Sequence, residues 1–330
     1  MSTPSRWARR IGLAVGIFVG AAATGCAALQ RGGRDPVERS LRRADALYKK
    51  RAEPGQLEAA IQAYLDASGI DPDDTRVLGR LARAYVLRAD LGTADPLTDY
   101  GTAREFGLRC LSLQPAFSGQ VAAAGGRVTP KAVAQIQGDQ LDCLRWTSIA
   151  WSRLALARGP GMSLDFAAID ALGARTLALS GNDADGTGAL SRGLSLAVVP
   201  RVMGPDLDGA LQQLRAAADK APDRLSRQVD LAVYGLHRVN KAEERALLEA
   251  VAAAELTALG TGAPEAPEAP EDRAARARAR RQLGLPVEAP PGEGPPVEAP
   301  PGDGLPVEAL PGEGLPGAAA DPDEAAPPAP

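Results

Sequence analysis

One histidine, three cysteines and a net charge of −4 leave this chain short of the groups from which most catalytic and nucleic-acid-binding sites are made. His237 is the single histidine. Any Ser-His-Asp or Cys-His arrangement must use it, and "GLHRVN", near the end of an expected helix, offers no evident partner. A favourable contact with the helix dipole is the plainer reading of His237. Zinc needs several His or Cys ligands, and they are missing. The negative balance gives no electrostatic footprint for nucleic acid. The glycines at 125, 126, 159 and 161 form no phosphate-binding pattern followed by Lys-Ser/Thr. "NDADGTGALSRGL" hints at a calcium loop through Asp183 and Asp185, but Leu194 stands where the bidentate glutamate belongs and Gly188 follows Thr187 in place of an acid. A plain turn is the better reading. No catalytic residue, metal site or cofactor is therefore expected, and an enzyme is the least favoured function class.

Also missing is an apolar run long enough to span a bilayer. A transmembrane helix needs about 20 apolar residues, and the run from Ile11 to Gly25 falls short. It suits the h-region of a secretory signal. Arg6, Arg9 and Arg10 supply the basic leader, and Ala23, Thr24 and Gly25 lead into Cys26. This junction resembles the lipobox of bacterial lipoproteins, with Ala23 where most have Leu. That resemblance implies removal of residues 1–25 and diacylglycerol attachment at Cys26. An ordinary cleaved signal ranks second and an uncleaved anchor third. Two or three acyl chains bury enough CH2 groups, at about 0.8 kcal/mol each, to tether the protein stably to a membrane. Ala27 and Ala28 are not the aspartate that retains lipoproteins in the inner membrane, so the expected place is the cell envelope on the periplasmic face, outer membrane ahead of inner.

With Cys26 lipidated, Cys110 and Cys143 remain. An oxidising compartment favours a bridge between them. The alternative is a pair of small buried hydrophobes.

What the chain does have is alanine and leucine at helical spacing, with few alternating Val and Ile runs. Residues 26–36 read as a linker and 37–257 as one helical domain. Helical-hairpin repeats of 34 residues place a small residue at position 20, a larger one at 24, a small one at 27 and proline at 32. Ala60, Tyr64, Ala67 and Pro72 fit, with Leu47 and Tyr48 on the partner helix. Ala210, Leu214, Ala217 and Pro222 fit again. Ala103, Gly107, Cys110 and Pro115 fit a third time, after Leu81, Ala82 and Tyr85 and an insertion, "DLGTADPLTDY". Small residues let paired helices approach, and proline ends the second one. A Gly-containing excursion, "SGQVAAAGGRVTPKAVAQIQ", precedes the helices "DQLDCLRWTSIAWSRLALARG", "SLDFAAIDALGARTLALSG" and "ALSRGLSLAVVPRVMG". The final pair is "RLSRQVDLAVYGLHRVN" and "KAEERALLEAVAAAELTAL". About ten helices and no convincing strand are expected: an all-α, tetratricopeptide-like hairpin array with irregular insertions. Trp146 and Trp151, five apart, lie on different faces of one helix. Core packing is the plain reading for both, with Trp146 the candidate to line a cavity.

Residues 258–330 read as a disordered Pro/Ala/Glu-rich tail that cannot offset its ordering entropy by burial. It contains "RAARARARRQ", read as a solvated basic helix, and the ten-residue repeats "LPVEAPPGEG", "PPVEAPPGDG" and "LPVEALPGEG". Polyproline II geometry would let the segment from 284 reach about 140 Å as a spacer.

A hairpin ending "DPDD", the helix "LRWTSIAWSRLAL", "MGPDLDGALQQLRAAADKAP" and "QVDLAVYGLHRVN" with "ERALLEAV" occur in an order that resembles the TRAP transporter TatT component family over about residues 40 to 257. The resemblance implies a periplasmic lipoprotein that associates as a homotrimer, binds the periplasmic substrate-binding protein of a transporter, and holds a hydrophobic ligand in an apolar cavity or pore. Where that family tends to have an aromatic, glycine-rich turn, this chain reads "LALSGNDADGTGALSRG", with no aromatic. The alternative function is a tetratricopeptide-type lipoprotein scaffold for outer-membrane or cell-envelope assembly.

Overall fold

The computed structural model describes residues 36–92, 95–159, 165–200, 203–256 and 269–287. Cys26, the expected lipid attachment point, and the repeats beyond residue 287 lie outside the described residues. The described residues form no strand, and thirteen α-helices follow one another. The N-terminal pairs are α1 (Pro36–Lys49) with α2 (Gln56–Ile70), and α3 (Thr75–Leu91) with α4 (Pro96–Ser112). Two short helices, α5 (Pro115–Ala123) and α6 (Pro130–Val133), occupy the glycine-containing excursion. Then come α7 (Leu141–Arg158), α8 (Phe166–Leu179), α9 (Thr187–Ala197), α10 (Leu207–Lys220), α11 (Leu225–Asp230), α12 (Lys241–Ala253) and α13 (Pro270–Gln282).

The hairpin register is the packing code of this body. Ala60, Tyr64 and Ala67 are buried on α2, Ala103, Gly107 and Cys110 on α4, and Ala210, Leu214 and Ala217 on α10. Gly107 shows why size matters there: a Cβ on it would lie 3.2 Å from the Cα of Thr147 on α7. Only a bare backbone admits so close an approach. Tyr85 and Phe106 stack across the α3/α4 pair with centroids 5.7 Å apart. The insertion after Tyr85 is largely absorbed by lengthening both helices of that pair. Polar residues set the starts: the side chains of Asp74, Asp95, Asp206 and Asn240 accept from backbone N–H groups in the first turns of α3, α4, α10 and α12. Each satisfies donors that a helix start leaves open.

Two expectations change. The segment "RLSRQVDLAVYGLHRVN" is not one helix: α11 gives way to a π turn at Leu231–Gly235 and a 3-10 turn at Leu236–Arg238. Gly235 passes close to Leu211 and Leu214 of α10, within 3.3 Å of where its Cβ would sit, and the widened turn accommodates that approach.

The second change concerns the boundary at 257. The compact unit runs to Val287, and the arginine-rich segment is a packed helix, α13, and not a solvated tail. Pro270 at its start, Glu271 and Asp272 in its first turn and Arg280 and Arg281 in its last suit the helix dipole. Gly284 takes the left-handed conformation (φ 69°) after its end, and the Leu285 N–H closes back on the Arg280 carbonyl at 2.9 Å. Ala275 and Ala279 form a narrow apolar seam against Val229, Ala232, Leu248 and Val251. The arginines flanking that seam find acceptors on the body: Arg273 donates to the Ala52 carbonyl (3.1 Å) and Arg278 to Asp230 (3.2 Å).

Candidate functional site

Helices α1, α3, α7, α11 and α13 surround a solvent-linked chamber of about 1180 Å³. The faces turned to it follow helical spacing. Gly79, Arg83, Val86 and Asp90 come from α3, and Asp142, Arg145, Ile149 and Arg153 from α7. Arg227 and Asp230 come from α11, and Glu271, Ala275 and Arg278 from α13.

At one end, four helices meet in a charge network. Arg153 is bidentate between two carboxylates, 2.8 Å from Asp90 and 2.7 Å from Asp230. Asp230 also receives Arg278 of α13 at 3.2 Å, and the Tyr100 hydroxyl of α4 donates to Asp90. Side-chain exposure is 7% for Arg153 and 1% for Asp230, so water does little of the screening. Burial pushes the Asp90 carboxyl above the usual carboxylate range, against the pull of Arg153 and the Tyr100 hydrogen bond. Burial also works against the Arg153 charge, but Asp230 and Asp90 outweigh it and hold the guanidinium firmly protonated. The Arg278 guanidinium lies 4.8 Å over the Tyr234 ring, and Arg51 pairs with Glu271 at 2.8 Å. Thus α13 is bonded to both the N-terminal hairpin and α11.

The nominated residues distribute as follows. Trp146 is half-buried and lines the chamber, while Trp151 packs in the cluster with Leu144, Ile169 and Leu172, beneath the Arg104 guanidinium at 5.3 Å. Cys110 and Cys143 are joined as a disulfide, with Cα atoms 6.0 Å apart, linking α4 to α7. His237 does have a partner. Its Nδ1 lies 2.7 Å from the Glu244 carboxylate, with Lys241 Nζ 3.1 Å from the same group, at the surface and away from the chamber. Asp183 and Asp185 are spent on the backbone: Asp183 accepts from Gly188 and Ala189 N–H at 2.6 and 2.9 Å, and Asp185 from Thr187 N–H at 3.1 Å. Together they cap the start of α9.

The chamber wall is not the apolar surface that the family resemblance implies. Eleven basic residues line it against seven acidic ones, a surplus of four positive charges in a chain of net charge −4. Sequence reading missed Arg83, Asp90, Arg153, Arg227, Asp230 and Arg278. The available signal was a charged residue recurring within an apolar helical stripe, as Arg153 does in "WSRLALA". Fold and site together define an all-α hairpin protein built around a polar chamber. No protein-family profile matches the chain, and no curated protein matches it.

Proposed function

We propose that this protein is a lipid-anchored, periplasm-facing partner of a TRAP-type solute transporter, similar in role to its T component, which docks the transporter's periplasmic substrate-binding protein and holds a small molecule in its chamber. The observation that carries the reading is the large solvent-linked chamber enclosed by a helical-hairpin array. Hairpin arrays present extended surfaces to other proteins, and concave sites of this size accept small ligands. The anchor at Cys26 and a homotrimeric assembly belong to the same proposal.

A crosslinked pull-down from native membranes, read by mass spectrometry, tests it. Recovery of a transporter substrate-binding subunit is the expected result. Recovery of envelope-assembly proteins alone would replace this reading with that of a cell-envelope scaffold.

A further inference from the structure

We propose that the chamber binds a small organic anion, gripping its carboxylate or phosphate oxygens with Arg83 and Arg227. This inference rests on reading the chamber as a ligand site and not on the identity of any protein partner.

The argument begins with which cations are already neutralised. Arg51, Arg80, Arg153 and Arg278 each hold a carboxylate within 3.2 Å. Arg83 and Arg227 hold none among the described residues. The Nε of each is buried without a hydrogen-bond partner in the protein. Arg83 rests on the Tyr48 ring at 4.1 Å, which leaves its donor edge unused. Arg227 makes one bond, to the Thr187 hydroxyl at 3.2 Å, and burial pulls its pKa down, opposed by the field of Asp230. A third arginine, Arg145, also has a buried unpartnered Nε and only a 3.8 Å approach to the exposed Asp142.

A desolvated guanidinium without a counter-charge is costly. Here α3, α7 and α11 each turn toward the same chamber a guanidinium whose buried Nε has no hydrogen-bond partner, and Arg83 and Arg227 have no carboxylate in contact among the described residues. Guanidinium forks match carboxylate and phosphate oxygens and bind them bidentately. Beside them, Val86, Trp146, Ile149 and Leu190 give apolar wall for a carbon skeleton. The acidic half of the wall argues against a purely inorganic polyanion filling the whole volume, and the charged half argues against a plain hydrocarbon. A compact organic acid meets both surfaces.

The test uses the purified full chain, titrated calorimetrically with citrate and with inorganic phosphate, against sodium chloride at matched ionic strength. Expected is saturable binding of citrate beyond the salt control, weakened about tenfold or more by Arg83→Gln/Arg227→Gln. Because neither arginine holds a carboxylate, and the double variant gives up only the Tyr48 ring contact and the Thr187 hydrogen bond, it should melt within a few degrees of the parent without ligand. If that variant fails to fold, Arg227→Lys carries the test, since it keeps the charge and loses the fork; weaker citrate binding is then expected. Citrate and phosphate behaving as sodium chloride does, or binding that the variants leave unchanged, would overturn the proposal. Loss of the transporter partner in the pull-down would not, because no partner protein takes part in the titration.

Discussion

Removing the Asp230 carboxylate tests whether the four-helix charge network holds the body together. Asp230→Ala takes one of two carboxylates from Arg153 and the facing acid from Arg278. Breaking a buried pair from one side costs about 3 to 5 kcal/mol. Two features place this case at the low end. Asp90 still holds Arg153 at 2.8 Å, and the Arg278 side chain, 25% exposed, can turn to solvent. The expected loss is about 3 kcal/mol, or a fall in Tm of about 6 to 12 °C for a body of this size. Urea unfolding followed by far-UV circular dichroism measures it. Arg153→Met/Asp230→Leu, which removes that pair together and leaves Asp90 its Tyr100 hydrogen bond and Arg278 its path to solvent, should recover part of the loss, because packed apolar groups can replace a buried pair without penalty. A cost for Asp230→Ala below about 1 kcal/mol, the scale of an exposed pair, would refute the buried-network account.

Other outcomes follow from separate parts of the molecule. Reducing the Cys110–Cys143 bridge, 33 residues apart in sequence, should cost about 3 to 4 kcal/mol in the chain-entropy account, seen as a lower urea midpoint in reductant. Unfolded, unreduced protein carrying two more free thiols than Cys26 status explains would contradict the bridge. Two glycines should respond in opposite directions to alanine. Gly101, in the middle of α4 with nothing within 4 Å of its missing Cβ, should stabilise by up to about 1 kcal/mol. Gly173, whose Cβ would sit 3.1 Å from the Ser191 carbonyl and closer to the Ser195 side chain, should destabilise by about 1 to 3 kcal/mol. Acid should weaken the fold. Hydrogen bonds from Arg76 hold Asp74 below its ordinary range; burial would raise Glu244, but His237 and Lys241 bring it below too. A depressed folded pKa means stability that is present above the unfolded value and lost as pH falls through the folded one. Denaturation midpoints measured from about pH 6 down to about pH 3 should therefore fall, and Asp74→Asn and Glu244→Gln should each flatten the slope.

The helical class and the hairpin pairs were legible because packing between close helices demands small residues at fixed intervals. Ala60, Ala67, Ala103 and Ala217 meet that demand and are buried. The break after Asp230 was not legible, since the pressure that widens the turn at Gly235 comes from Leu211 and Leu214, remote in sequence. Composition misled at α13. Five arginines in the nine residues from 273 to 281 outweigh four alanines in any average, yet Ala275 and Ala279, four apart, are the residues that dock. Most of the chamber was hidden for a similar reason. Arg153 and Asp230 look like ordinary surface charges until a fold sets them 2.7 Å apart.

The Arg51–Glu271 contact joins residues 220 apart in sequence. Ribosomes deliver chains progressively from the amino end, so the first hairpin exists well before its last neighbour. Until then the Asp230 carboxylate lacks Arg278, and the groove between α3 and α11 is without its α13 wall. The chamber is thus a late product of synthesis, and a chain interrupted between residues 253 and 270 would carry every described helix but α13 and an unclosed vessel. Contacts of such long range also slow folding.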